Sequence, residues 1–306
     1  MPSVSSIEEA ASTLAAAHAG GYRLRIGDDL TTGDLDRILE HETGDLTCTV
    51  ESGLRLSALN AVLGQSGQRL SLDPPGDPTV GALLADNLSG PLRHRFGAPR
   101  DLVLGVTLVL ADGTVASSGG KVVKNVAGYD LARLVCGSRG RLALIVRASF
   151  RLHPLPKAAR TLVVETEDAA TSVARLLRSQ LQPSALDVLH PGRIAVLFEG
   201  SERAVAAQLA SARELVGGSE ADLDIWDESR VRQAAARGRI RFDPGRLGET
   251  LAPLSDAVAR PAAGLVYTRD ELPSGSEPQS REASDFLAGL VTRLERELDP
   301  RGVFAA

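Results

Sequence analysis

Read by its alternation of apolar and polar positions, the chain divides into short helices and strands. Ile7 to Ala19 is rich in alanine and follows Ser5 and Ser6, so it predicts a helix capped by one of those serines. Tyr22 to Ile26 alternates and predicts a short strand, broken at Gly27-Asp28-Asp29. Thr47 to Val50 predicts a second strand and Leu56 to Leu63 a helix. In "SLDPPGDPTVGALLADNLSGP", Pro74, Pro75 and Pro78 forbid regular structure, and Thr79 can cap a helix running from Val80 towards Leu88. Leu102 to Leu110 predicts an apolar strand, and Asp112-Gly113 a hairpin turn into Thr114 to Ser117. Gly128 to Val135 predicts a short helix and Leu142 to Leu152 a long strand.

At His153-Pro154-Leu155-Pro156-Lys157 the pattern is interrupted, and the domain boundary is placed there. Beyond it, Thr161 to Glu165, Asp168 to Gln180, Ile194 to Glu199 and Ser201 to Val216 form a strand-helix-strand-helix series. Such a series suits a small α+β layer of helices on a sheet. Pro273 to Ser280 is polar and predicts a mobile loop. Ala283 to Glu297 predicts a closing amphipathic helix, with Phe286, Leu287, Leu290, Leu294 and Leu298 on one face and Pro300 and Gly302 stopping it. No internal repeat is visible.

Composition narrows the function classes. At 306 residues the chain has room for two domains, or one with a cap. A net charge of -5 lacks the basic excess of a nucleic-acid binder, and 3% aromatic residues are too few for base-stacking platforms. The first residues show no basic signal-peptide region, and no apolar run is long enough to span a membrane. A cytoplasmic location is expected. Cys48 and Cys136 stand in apolar surroundings without metal-ligand spacing and predict buried free thiols. The five histidines are scattered, so no metal site is expected.

Several nucleotide and hydrolase motifs are missing. No G-x-G-x-x-G follows a strand, and Lys121 after Gly119-Gly120 lacks the spacing and the following Ser or Thr of a Walker loop. G-x-S-x-G, H-E-x-x-H and C-x-x-C do not occur.

What remains is a set of distinctive segments: "DPTVGALLADNLSGPLRHRFGAPRDLVLGV", "KVVKNVAGYDLARLVCGSRGRLALI" and "LERELDPRGVF". Together they resemble the FAD-binding subunit of bacterial glycolate oxidase, within the flavoproteins of the vanillyl-alcohol oxidase and p-cresol methylhydroxylase type. The similarity is dense from Leu54 to Leu155 and returns at Leu294 to Phe304. It implies an α+β fold: a PCMH-type FAD-binding domain of two α/β subdomains over residues 1–155, then a shortened α+β cap over 156–306 whose C-terminal helix returns to the flavin domain.

The resemblance implies FAD as cofactor, held around Pro75, Thr79, Val80, Gly81, Ala82, Ser89 and Gly90. Asn125, Gly128, Tyr129 and Asp130 are implied beside it, and Gly137, Gly140, Leu144 and Ile145 at the adenine end. The chemistry agrees. A pyrophosphate is well met by backbone N–H groups at a helix start, as at Thr79-Val80-Gly81-Ala82, and Gly81 permits close approach. Other roles stay open: Asp130 as a helix cap, Tyr129 as core, Arg100-Asp101 as an internal ion pair. Arg93, His94 and Arg95 form either a solvated loop or a face for a carboxylate substrate.

In that family a 2-hydroxy acid such as glycolate is oxidised and electrons leave through partners. These are a homologous flavoprotein subunit and an iron-sulfur subunit, which implies a hetero-oligomer that can lie against the inner membrane. Neither His94 nor His153 is singled out as a base. Two departures support a rival reading, a non-catalytic assembly subunit with an eroded FAD site. The family's Asn-Pro-Gly-Arg does not follow Val303-Phe304 here. Its glycine- and serine-rich phosphate loop is replaced by "RIGDDLTTGD". A carboxylate about 5 Å from a phosphate charge costs about 1 kcal/mol in water and about 3 at an effective dielectric near 20.

Overall fold

A computed structural model describes residues 3–120, 130–271 and 281–304. Two antiparallel sheets organise it. The first contains β1 (Ile38–Glu42), β2 (Thr47–Glu51), β3 (Val103–Val109), β4 (Val115–Gly119) and β5 (Leu144–Arg151), in the order β1-β2-β5-β3-β4. The second has seven strands: β6 (Ala158–Glu165), β7 (Ala185–His190), β8 (Arg193–Gly200), β9 (Ser219–Ala221), β10 (Gly238–Arg241), β11 (Ala257–Arg260) and β12 (Leu265–Thr268). Their order is β9-β6-β8-β7-β11-β12-β10.

The first sheet is covered on both faces. Helix α1 (Ile7–Gly20) buries Ala10, Leu14 and Ala17 in a cluster with Val109, Leu144 and Val146. Ser6 is its cap: the Ser6 hydroxyl accepts from the Glu9 amide at 3.0 Å. Helices α2 (Leu56–Gly64) and α3 (Val80–Ala85) place Leu59, Leu63, Leu83 and Leu84 in another cluster with Val106, Ala148 and Phe150. The short helix α4 (Arg93–Phe96) follows, and α5 (Leu131–Val135) completes this part.

Behind the second sheet lie α6 (Ala169–Arg178) and α7 (Glu202–Val216), capped by Asp168 and Ser201. Their Val173, Leu176, Val205 and Leu209 pack on Leu186, Val188, Ala257, Ala259 and Val266. The opposite face carries α8 (Asp224–Ala234) and the loop ahead of α4. There Leu92, Trp226, Ala185, Leu189, Ala195 and Leu197 form a separate cluster. The Trp226 indole donates to the Thr161 hydroxyl at 2.9 Å.

Helix α9 (Arg281–Leu298) leads back to the first sheet. Glu295 pairs with Arg141 at 3.3 Å, and the Leu24 amide donates to the Val303 carbonyl at 2.6 Å. Asp299 closes the turn by accepting from the Val303 and Phe304 amides at 2.8 and 2.7 Å.

Several expectations need correction. Tyr22 to Ile26 forms no strand; Leu24 and Ile26 make only isolated bridges, to Phe304 and Leu30. The helix after Thr79 ends at Ala85, because Asn87 turns left-handed at φ 49°. His153–Pro154 is itself paired, antiparallel to Gln68–Arg69. Leu290 lies at the surface, although the amphipathic pattern of α9 offers it as part of an apolar face. No ion pair joins Arg100 to Asp101; instead the Asp101 carboxylate accepts from the Ala98 amide at 2.8 Å. Pro273 to Ser280 lies outside the described residues. Cys48 is buried and Cys136 half-buried; both are free, and burial pushes both thiols up to about 12. Among the described residues no helix is long and apolar enough to cross a membrane.

Candidate cofactor and substrate site

A cleft opens at one end of the first sheet, beside α3. It is a cavity of about 360 Å³, within the size range of small-molecule sites. Thr79, Gly81 and Ala82 form one wall, Gly140, Leu144 and Ile145 another, and Ile26, Gly27 and Thr31 a third. Each wall has a local cause. Thr79 is extended and caps α3, its hydroxyl accepting from the Ala82 amide at 3.3 Å. Gly81 lets the helix rest on the strand end: its amide donates to the Ser52 carbonyl at 2.7 Å, and a Cβ there would stand 3.2 Å from that oxygen.

The turn from Gly137 to Gly140 is pinned to α3. The Gly137 amide donates to Leu84 and the Arg139 amide to Ala85, at 3.0 and 2.8 Å. Gly137, Arg139 and Gly140 all have positive φ, at 87°, 55° and 74°. A Cβ at Gly140 would stand 2.9 Å from the Ile26 Cβ. The backbone, rather than side chains, shapes this cleft.

Of the residues expected at the cofactor, six therefore share one cavity: Thr79, Gly81, Ala82, Gly140, Leu144 and Ile145. Val80 does not line it; its side chain is fully buried in the core beneath. Pro75 and Gly137 also stand off the lining. Asp130 caps α5, accepting from the Arg133 amide at 3.0 Å. Asn125, Gly128 and Tyr129 lie outside the described residues. Thr32, Asp86 and Arg139 are lining residues that motif reading misses.

Asp28 and Asp29 do not line the cavity, although Gly27 does. Both carboxylates turn to Arg25 of their own loop, at 3.9 and 3.5 Å, and Asp29 also accepts from the Arg25 amide at 2.9 Å. The expectation that this loop points negative charge at a phosphate is corrected here.

Ser89 and Gly90 belong to a second region, where the loop before α4 meets the second sheet. The Ser89 carbonyl accepts from Gln233 of α8 at 2.9 Å and from Arg260 of β11 at 3.5 Å. Gly90 packs so tightly on Asp73 that any Cβ would collide with its carbonyl. Asp73 accepts from the Leu92 amide at 3.0 Å and faces Arg230 of α8 at 3.5 Å. Burial pushes its carboxyl up to about 7, against the pull of Arg260 and the Leu92 amide.

Arg260 is itself fully buried. Its guanidinium lies 3.4 Å from Asp187 and covers the Tyr267 ring at 5.1 Å, and Asp187 also accepts from the Ser229 hydroxyl. Arg93 reaches the same region and donates to the Ser89 hydroxyl at 3.0 Å. Burial draws the His94 imidazole below its ordinary range.

Residues 5–119 match the family model for the FAD binding domain. This part of the chain is similar to FAD-binding domains. Related proteins extend the picture. Over 203 residues the chain is 34% identical to glycolate oxidase subunit GlcE of Escherichia coli, spanning 64% of this chain and 56% of that one. It is 34% identical to glycolate oxidase subunit GlcD of Bacillus subtilis over 53% of this chain and 36% of that one. With D-lactate dehydrogenase [cytochrome] 1 of Saccharomyces cerevisiae it shares 32% identity over 54% of this chain and 29% of the relative. The chain thus spans little more than half the length of the first of these relatives. An alkyldihydroxyacetonephosphate synthase structure superposes with a TM-score of 0.73 at 15% identity, covering 99% of this chain and 74% of the other. That likeness concerns the fold.

The cavity suits part of such a cofactor. Its walls combine apolar surface from Ile26, Ala85 and Ala143 with the hydroxyl-bearing Thr31, Thr32 and Thr79 and one charge of each sign, Arg139 and Asp86. Apolar walls with a few polar groups are the usual lining of a small-molecule or cofactor site.

Proposed function

We propose that this chain is the FAD-binding subunit of a glycolate-oxidase-like complex and takes part in oxidising a 2-hydroxy acid such as glycolate. Residues 1–155 act as the flavin domain and 156–306 as its cap. Thr79, Gly81, Ala82, Gly140, Leu144 and Ile145 would hold the nucleotide part, and Ser89 and Gly90 the cofactor's continuation towards the cap. FAD, when bound, supplies a two-electron acceptor, so that a 2-hydroxy acid gives up two electrons and two protons and leaves as the 2-oxo acid.

One observation carries this reading. The stretch from Asp86 to Arg93 connects the cavity wall to a group of arginines on the second sheet, and that group is where a carboxylate would be oriented. A homologous flavoprotein subunit and an iron-sulfur subunit are the partners proposed to receive the electrons, with any membrane association made through them. The rival, a non-catalytic subunit with an eroded site, draws on Asp28 and Asp29, whose carboxylates are engaged by Arg25.

The test is an anaerobic visible spectrum of the protein reconstituted with FAD. Addition of glycolate or lactate should bleach the flavin band within the mixing time of a stopped-flow or manual experiment. A protein that retains FAD but bleaches with no 2-hydroxy acid, in the presence of its partners, would overturn the oxidoreductase reading.

A further inference from the structure

The second sheet ends in the edge strand β10, whose Arg-Ile-Arg-Phe run alternates. Ile240, with Phe242 beyond the strand, packs into the helix-side core. The intervening Arg239 and Arg241 therefore lie on the opposite face, shared with Arg260 and Tyr267. Register sharpens this. Arg241 and Arg260 both pair with Leu265, one from each side, while Arg239 and Val258 flank Tyr267. Arg93 approaches from the flavin domain. Its guanidinium is held below the ordinary arginine range by burial first, with the positive charges of Arg260 and Arg241 adding to the effect.

The charges in this row do not balance. Asp187 faces Arg260 at 3.4 Å, and Asp101, the carboxylate acting on Arg93, accepts from the Ala98 amide at 2.8 Å. Asp73, a further carboxylate drawn by Arg260, faces its own partner Arg230 at 3.5 Å, so the four guanidiniums of the row meet two carboxylates and two positive charges are left over. Among the described residues neither Arg239 nor Arg241 makes an ion pair. Like charges gathered on one face repel each other, and an anionic ligand relieves that cost. Glycolate, with a single carboxylate, neutralises only one of the two.

We propose that this row takes a 2-hydroxy acid bearing a second anionic group, a dicarboxylate, in preference to a monocarboxylate, with Arg239 and Arg241 meeting the second anion. The hydroxy-acid part rests on the function proposed above; the preference for a dianion rests on the arginines. Residues two apart on one strand face stand about 7 Å from each other, so the two guanidiniums can clamp a carboxylate between them or take one oxygen each. Both are exposed at the sheet edge, which limits the gain to about tenfold in affinity.

Calorimetric titration of the FAD-reconstituted chain with malate and with lactate, in both enantiomers, isolates the second carboxylate. The two acids share a skeleton and differ by that group alone. Malate should bind about tenfold more tightly, and Arg239→Ala with Arg241→Ala should bring the ratio close to one. Arg241→Lys should keep part of it, because charge survives and the planar fork does not. Equal affinities in the unaltered protein, or a ratio unmoved by the double substitution, would overturn the proposal. Flavin bleaching serves as the second arm. Bleaching by lactate without any malate preference sinks the dianion subsite and leaves the oxidoreductase; a malate preference abolished by the substitutions, with no bleaching by either acid, does the reverse.

Discussion

The cavity beside α3 and the arginine row on the second sheet solve different problems with different materials. In the cavity the work falls to backbone: Gly81 seated on Ser52, Gly140 turned left-handed against Ile26, and a turn pinned to the end of α3. Asp86 and Arg139 are the charged residues of its lining, and both carboxylates of the neighbouring loop are held away. On the second sheet the backbone is plain antiparallel ladder, and long cationic side chains carry the chemistry. A backbone-built cleft fixes shape at low electrostatic cost and tolerates little change of volume. A side-chain-built row stores charge and stays incomplete until an anion arrives. One region therefore suits a resident cofactor, and the other a ligand that comes and goes.

The comparison breaks most sharply at Arg260. If the buried guanidinium belongs to a paired unit with Asp187, Arg260→Met should destabilise the protein by about 3–5 kcal/mol, because a buried carboxylate is left uncompensated. Denaturant unfolding measures it. The second change Asp187→Asn, added to Arg260→Met, should recover much of the loss, since removing both charges is far less costly than removing one. A single variant as stable as the parent would show that the charge at this position is not fixed by folding.

At Gly140 the opposite kind of damage is expected. A side chain there meets both a left-handed φ of 74° and the Ile26 Cβ. Gly140→Val should cost about 2–4 kcal/mol from backbone strain and overpacking combined. It should also lower FAD affinity at least tenfold in a flavin-fluorescence titration, because the turn forms a cavity wall. Unchanged melting with unchanged flavin content would remove the turn from the site.

The two regions also differ in how far the sequence reveals them. Thr79-Val80-Gly81-Ala82 and Gly137 to Ile145 are contiguous, and their caps and turns are local events that spacing can report. Even there, the pattern leaves Val80 undistinguished from its neighbours, although its side chain belongs to the core. Ser89 and Gly90 are legible as a turn, whereas their tethering by Gln233 and Arg260 joins residues far apart in the chain. Strands β10, β11 and β12 have four residues each, too short for confident periodicity, and the significance of Arg241 and Arg260 arises only when both pair with Leu265. The alternation of Arg239, Ile240, Arg241 and Phe242 is the one local signal available there.

The smallest expected effect is the one that tests whether the Asp28-Asp29 loop sets opposing charge against the cavity. Taken from spacing alone, Asp28 and Asp29 occupy the place of a phosphate loop, and removing them should raise FAD affinity by about tenfold or more. Geometry leads to another expectation. Both side chains are substantially exposed, at 64% and 42%, and both are directed to Arg25 at 3.9 and 3.5 Å. Water and salt screen charges so placed, and Arg25 offsets them locally. The double substitution Asp28→Ser and Asp29→Ser should therefore change FAD affinity by less than about threefold, equivalent to under about 0.7 kcal/mol, in a fluorescence titration at moderate salt. Losing the Asp29 bond to the Arg25 amide should loosen the loop slightly, so any change should be towards weaker binding. A tenfold gain would mean that the carboxylates reach the nucleotide after all, and the eroded-site reading would regain its support.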